Sequence, residues 1–124
     1  MQHRLRSWLP VLILGPMLAT SGAASFAPIV QGGNAHRGAK LISSIGCGAC
    51  HTIPGIEGAE GKVGPPLTDI GERGYIAGVL ANTPDNMIIW LKTPQAVVPG
   101  NAMPDLGLND HEARDIAAYL YTLR

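Results

Sequence analysis

Apolar residues recur at helical intervals in three segments of this chain, and each segment follows a residue suited to cap a helix. The first segment covers residues 35–45, between Asn34 as the N-cap and Gly46 as the stop. The second begins at Thr83-Pro84-Asp85, where an N-cap hydroxyl precedes a proline at the first helical position. Because a proline disfavours helix in the residue before it, this second helix must end before Pro94.

The third helical segment closes the chain. Asn109 is its predicted N-cap, and Glu112 follows three residues later, as in a capping box. Gly38, inside the first helix, offers a notch that we expect the ring of Tyr119 to fill. The apolar face of the last helix comprises Ala113, Ile116, Ala117, Leu120 and Leu123.

The connections between these helices are rich in glycine and proline. Residues 52–62 and 94–108 are predicted to be loops, and residues 68–72 a short helical turn. Residues 73–80 are ambiguous, with Gly74 and Gly78 favouring a loop. No strand-rich pattern is visible. The sequence therefore predicts an all-α fold of three main helices plus short helical turns.

The N-terminus has the order of a bacterial secretory signal. A basic start with Arg4 and Arg6 precedes an apolar run over residues 8–19, and small residues follow at 21–24. We predict a signal peptide at residues 1–24, a flexible lead-in at 25–33 and one domain at 34–124. The alternative is that the leader is retained as a membrane anchor, although the apolar run is short for a bilayer. Export to the periplasm is expected.

Charge and composition narrow the function classes. Loss of Arg4 and Arg6 with the leader leaves seven of the nine basic residues against nine acidic ones. No basic patch is present, so nucleic acid is not an expected partner. After the leader, the chain has one tryptophan, one phenylalanine and three tyrosines. A small domain with so little large apolar mass usually needs a staple.

The stretch Cys47-Gly48-Ala49-Cys50-His51 supplies that staple. It reads C-x-x-C-H, the pattern for attaching a c-type haem. Two thiols three positions apart can each add to one vinyl group of the same porphyrin, and the next imidazole can then ligate the iron. A thioredoxin-like disulfide is the alternative that a βαβ context would favour. A zinc site would need His36 or His111 to complete four ligands.

Two later segments hold candidate partners of this motif. An iron-bound histidine needs an acceptor for its Nδ1–H, and the carbonyl of Pro65 in the rigid Gly64-Pro65-Pro66 turn is suitable. Met103 lies between Pro99 and Pro104 on a stiff segment that would pre-position a thioether ligand. Met87, inside an apolar helix, is expected to fill the core. Trp90 is expected to direct its indole N–H at a haem propionate, or else simply to pack.

These residues together resemble class I c-type cytochromes over nearly all of the predicted mature chain. A closer likeness is to the cytochrome c domain fused to subunit II of bacterial haem-copper oxidases, carried by residues 80–86 and 90–95. The resemblance implies a cytochrome c fold around one covalent haem c. It also implies covalent attachment at Cys47 and Cys50, axial ligation by His51 and Met103, a hydrogen bond from His51 to Pro65, and propionate contacts from Arg73 and Trp90. Unlike the oxidase subunit, this sequence is expected to have a leader in place of membrane helices, and it has no further cysteines for copper.

The expected function is one-electron transport in a respiratory or dehydrogenase chain rather than enzymatic catalysis. With both axial positions filled by protein, the iron has no open site for substrate. Redox proteins such as a terminal oxidase or a periplasmic dehydrogenase are the expected partners of a monomer that meets the membrane only peripherally or through an uncleaved leader. The alternatives are a haem subunit of a periplasmic oxidoreductase complex and a peroxidase-like enzyme, which would need an open iron site.

Overall fold

A computed structural model describes residues 15, 22 and 26–124 of the chain. The predicted signal peptide therefore lies outside the described residues, apart from two isolated glycines. Within the described part there are four α-helices: α1 (Ala35–Ile45), α2 (Pro84–Lys92), α3 (Pro94–Val97) and α4 (Asp110–Leu120). Short 3-10 turns occur at Cys47–Ala49 and Ile70–Glu72, and the strands β1 (Tyr75–Ile76) and β2 (Leu80–Ala81) form an antiparallel hairpin. The predicted all-α class with three main helices is confirmed.

The caps that the sequence predicted are present. The side chain of Asn34 accepts from the backbone N–H of Arg37 at 2.9 Å, and α1 ends where Gly46 takes a left-handed φ of 87°. Thr83 accepts from the N–H of Asn86, and α2 ends before Pro94. At α4, a full capping box joins Asn109 and Glu112 by two hydrogen bonds of 3.0 Å.

Helices α1 and α4 cross at Gly38, but the predicted filling of this notch is wrong. A Cβ at Gly38 would overlap the backbone carbonyl of Asp115, so the main chain of α4 occupies the space. Tyr119 lies elsewhere and donates its hydroxyl to the carbonyl of Pro54 at 2.6 Å. Glycine is required here because it lets two helix backbones touch.

A buried carboxylate fixes the same crossing. Asp115 is only 4% exposed and accepts from the backbone N–H of Asn34 at 2.7 Å and from Arg37 Nε and Nη2 at 2.7 and 2.9 Å. The hydrogen bond from Arg37 holds the pKa of the Asp115 carboxyl below its usual range, although burial opposes this shift. The start of α1 is thereby tied to the middle of α4.

One predicted loop and one segment that the sequence left ambiguous contain short elements. Residues 94–108 contain α3, a single helical turn, and residues 73–80 contain most of the hairpin. The hairpin turn places both central residues at positive φ, 51° at Ala77 and 73° at Gly78, and closes with a 3.1 Å bond from Val79 N–H to the Ile76 carbonyl. Helix α4 ends at Leu120, so Leu123 is buried from the segment beyond the helix.

The apolar core surrounds a cleft rather than closing on itself. Met87 is 1% exposed, which confirms it as a core residue, and it also lines the cleft. Val30, from the predicted lead-in, is buried as well. Across the residues described, no helix is both long enough and apolar enough to cross a bilayer. Side chains shared by the core and the cleft are Ile42, Ile53, Ile70, Ile76, Met87, Leu91, Ile116 and Leu120.

Candidate functional site

The cleft in the core has a volume of about 430 Å³ and walls that are mostly apolar. Segments from α1, α2, α4, the hairpin and several loops meet there. The structure brings every sequence-predicted site residue to this one cleft: Cys47, Cys50, His51, Pro65, Arg73, Trp90 and Met103. A smaller groove of about 290 Å³ between α2 and α4 contains none of them.

The two cysteines reach the cleft because α1 stops abruptly. The left-handed Gly46 redirects the chain into a 3-10 turn, in which the carbonyl of Cys47 accepts from the N–H groups of Cys50 and His51 at 3.2 and 3.0 Å. This tight turn places both thiols and the imidazole along the same cleft. No disulfide joins the two cysteines and both are half-buried, and burial raises the pKa of the Cys47 thiol.

Small residues let the loop 52–62 pack directly on this turn. A Cβ on Gly48 would come within 2.6 Å of the Ala59 Cβ, and a Cβ on Gly61 within 2.5 Å of the Ala49 carbonyl. The N–H of Gly61 also donates to the Gly48 carbonyl at 3.0 Å. The glycine inside C-x-x-C-H is thus a packing requirement that the sequence pattern treats as a free position.

Two residues of a later loop, Gly64 and Pro65, hold the ring of His51. Its Nδ1 lies 2.7 Å from the carbonyl oxygen of Pro65, and a carbonyl only accepts, so Nδ1 carries the proton. In the neutral ring, this tautomer leaves Nε2 as the nitrogen that a metal can bind. The ring lies so close to Gly64 that a Cβ at that position would overlap the imidazole.

Met103 is held by side-chain amides. Its backbone N–H donates to Asn101 Oδ1 at 2.7 Å, and its carbonyl accepts from Gln95 Nε2 at 2.7 Å. Met103 is half-buried and packs against the core. Sequence reasoning identified the methionine and the flanking prolines but missed Gln95, since nothing local marks an amide as a bridge across eight residues.

Arg73 and Trp90 lie along the cleft, and other protein groups anchor Arg73. Its guanidinium donates to the Asp69 carboxylate and to the carbonyl of Pro66. This hydrogen bond and the adjacent charge hold the pKa of the Asp69 carboxyl below its usual range. Trp90 is half-buried on α2.

Asn82 fixes the segment that carries Arg73, and sequence analysis missed it too. Its side-chain amide donates to the carbonyls of Ile70 and Arg73 at 2.7 and 2.8 Å, while its Oδ1 accepts from the hydroxyl of Tyr121 at 2.7 Å. Burial raises the pKa of Tyr121 to about 12, so this hydroxyl stays a donor at neutral pH.

The arrangement fits a covalent haem. Two thiols, an imidazole with its Nε2 available and a thioether meet on an apolar cleft, and glycine at position 64 seats the histidine ring. No Asp or Glu lines the cleft among the described residues, whereas Arg73 does, which suits a group bearing carboxylates. The zinc alternative finds no support, because no cluster of three or more His, Cys, Asp or Glu suited to a metal ion occurs in the described part, where His36 and His111 are exposed.

The family model and the sequence relatives point the same way. The family model described as "Cytochrome c" matches residues 35–124. The cytochrome c2 of Rhodopila globiformis is 36% identical over 105 residues, which cover 74% of this chain and 95% of that protein. The cytochrome c oxidase subunit 2 of Alkalihalophilus pseudofirmus is 37% identical over 93 residues, which cover 73% of this chain but only 26% of the relative. The chain thus spans about a quarter of the length of that subunit. The crystal structure of cytochrome c2 from Paracoccus denitrificans aligns with 73% of this chain and 95% of that one, at 20% identity and a TM-score of 0.46.

Proposed function

The chain belongs to the cytochrome c family, and on that premise we propose that it is a periplasmic monohaem carrier of single electrons in a respiratory or dehydrogenase chain. Proteins of this family bind a covalently attached haem c, which supplies a one-electron iron couple. Residues 1–24 would direct export, and the mature protein would act as a monomer rather than as an enzyme.

The observation that carries this proposal is the meeting of Cys47, Cys50, His51 and Met103 on one apolar cleft. In the proposed site the two cysteines would hold the haem covalently, and His51 and Met103 would supply the protein ligands of its iron. Pro65 keeps the proton on His51 Nδ1, at 2.7 Å, and so leaves Nε2 for the iron. Arg73 and Trp90 would contact the propionates.

Fixed ligands suit electron transfer, because a change of oxidation state then requires little movement. The imidazole is held by a carbonyl and a glycine, and the backbone of Met103 is held by two amides. The mostly apolar walls of the cleft would limit the access of water to a bound haem. If His51 and Met103 both ligated the iron, no position would be left for a substrate, whereas a peroxidase-like enzyme would need one of them to be open.

The rim of the cleft suggests how a redox partner docks. Three of the chain's exposed large apolar side chains, Val63, Tyr75 and Leu106, lie on this rim at 68%, 65% and 37% exposure. The rim has no lysine in the described part of the chain. We therefore propose apolar docking near Cys47 and Ala102, with an electron-transfer rate that depends only modestly on ionic strength.

The partner is proposed to be a terminal oxidase or a periplasmic dehydrogenase. The similarity to cytochrome c oxidase subunit 2 supports the oxidase. It also favours a second candidate function, a haem subunit held stably within an oxidoreductase complex. Co-purification from native membranes distinguishes the two: a free carrier elutes alone, whereas a subunit elutes with its complex.

The proposal is tested by expression of the full chain in cells that attach haem c. We expect a red periplasmic protein whose mass exceeds the processed polypeptide by one haem, with the red absorption band of a methionine–iron bond and no peroxide turnover. Replacement of both Cys47 and Cys50 by alanine should abolish covalent attachment. Colourless wild-type protein with the mass of the bare polypeptide would overturn the proposal.

A further inference from the structure

The loop that carries Met103 is organised by one side chain of α3. The amide of Gln95 donates from Nε2 to the carbonyls of Asn101 and Met103 at 2.9 and 2.7 Å, and its Oε1 accepts from the N–H of Gly100 at 3.1 Å. Both donors and the acceptor of this half-buried amide are therefore used on the loop.

Asn101 completes the arrangement from inside the loop. Its Oδ1 accepts from the Met103 N–H at 2.7 Å, and its Nδ2 donates to the carbonyls of Pro94 and Val98 at 3.0 and 2.6 Å. Both backbone polar groups of Met103 thus bind side-chain amides, with no helix or strand partner. The position of the Met103 main chain depends on these two residues.

We propose that Gln95 is a positioning residue that holds Met103 at the cleft, an inference that rests on the proposed role of Met103 as an axial ligand. Only an amide meets the need, because two carbonyls require donors and one N–H requires an acceptor at the same site. A carboxylate of the same shape has no donor and places negative charge against two carbonyl oxygens. A thioether of similar length offers neither donors nor a comparable acceptor.

The test uses the haem-loaded protein and two substitutions, Gln95→Glu and Gln95→Met, with Gln31→Glu as the matched control. Gln31 is exposed, and its side chain has no hydrogen bond within the described residues. The readouts are the red methionine–iron band of the oxidised protein and the affinity for added imidazole, which must displace Met103. We expect Gln95→Glu to lose at least about half of the band and to bind imidazole at least about tenfold more tightly. Gln95→Met should bind imidazole about threefold to tenfold more tightly, and Gln31→Glu should match the wild type.

Unchanged bands and imidazole affinities in both Gln95 variants would overturn this inference and leave the proposed function intact. Absence of the band from the wild type would instead overturn methionine ligation, and the inference with it. Amide hydrogen exchange on the wild type gives a measurement that does not depend on whether a variant folds. The N–H groups of Gly100 and Met103 should exchange at least about tenfold more slowly than that of Ala102, which has no partner among the described residues. Equal exchange of all three would contradict the proposal.

Discussion

Substitution of Gly38 by alanine tests the packing on which the whole fold depends. Alanine is favoured over glycine inside a helix by about 1 kcal/mol, so propensity alone predicts stabilisation. Against this, the new methyl would overlap the Asp115 carbonyl and lie 3.1 Å from the Ile116 nitrogen, which forces α4 away. Overpacking of this kind costs about 1–3 kcal/mol. The movement would also lengthen the hydrogen bonds that Asp115 accepts, each contributing about 1.5–3 kcal/mol.

We therefore expect Gly38→Ala to lower the free energy of unfolding by about 2–3 kcal/mol, or Tm by roughly 10–20 °C for a domain of this size. The assay is urea unfolding of the haem-loaded protein, with Gly74→Ala as the control. Gly74 has open space around it and no positive φ, so its replacement should change stability by less than about 1 kcal/mol. A Gly38→Ala protein as stable as the wild type, with an unchanged denaturant slope, would refute the close crossing of α1 and α4.

Three further predictions follow from single contacts. Asp115→Asn should lower the free energy of unfolding by about 2 kcal/mol at pH 7, because Arg37 loses a charged acceptor. The pKa of Asp115 is lower in the folded protein than in the unfolded one, so its contribution to the unfolding free energy is full above the unfolded pKa of about 3.9. That contribution is lost as the pH falls through the folded pKa. The unfolding free energy should therefore fall less steeply with acidification in Asp115→Asn than in the wild type; equal slopes would contradict this. Ala77→Asn should raise the unfolding free energy by about 0.5–1 kcal/mol, because asparagine tolerates the left-handed φ of 51° better than alanine; chemical denaturation that shows a loss would argue against the turn. Gly64→Ala should displace the His51 ring and reduce the yield of haem-loaded protein severalfold relative to the Gly74→Ala control. A normal yield and an unchanged reduction potential would exclude close contact between Gly64 and the His51 ring.

The helices could be predicted because their signals are local. Asn34 and Gly46 bound α1, and Thr83 and Pro94 bound α2, each through hydrogen bonds or dihedral limits that act within a few residues. The candidate site could also be predicted, since the C-x-x-C-H motif contains three of its residues, Cys47, Cys50 and His51, within five positions. Their spacing along the chain translates directly into one tight turn.

The missed elements lack such signals. Helix α3 has only four residues, which is too short for a helical period to show. The hairpin turn uses Ala77-Gly78 where Asn-Gly or Asp-Gly would have announced it, and its alanine carries an unfavourable φ. The amide of Gln95 reaches the carbonyl of Met103 eight positions away, and that of Asn82 reaches the carbonyl of Ile70 twelve positions away. An amide in a loop is compatible with many structures until the loop is folded.

The stability of the fold and the proposed ligation of the iron depend on different parts of the structure. The fold is fixed where α1 meets α4, through Gly38 and the buried Asp115. The proposed ligands lie on loops and are held by a carbonyl and by side-chain amides rather than by helix or sheet bonds. Substitutions where α1 crosses α4 should therefore lower the unfolding free energy, while the proposed iron ligands stay in place until the protein unfolds. Damage at Gln95 should weaken methionine ligation first, because local opening of a loop requires less free energy than unfolding of the core.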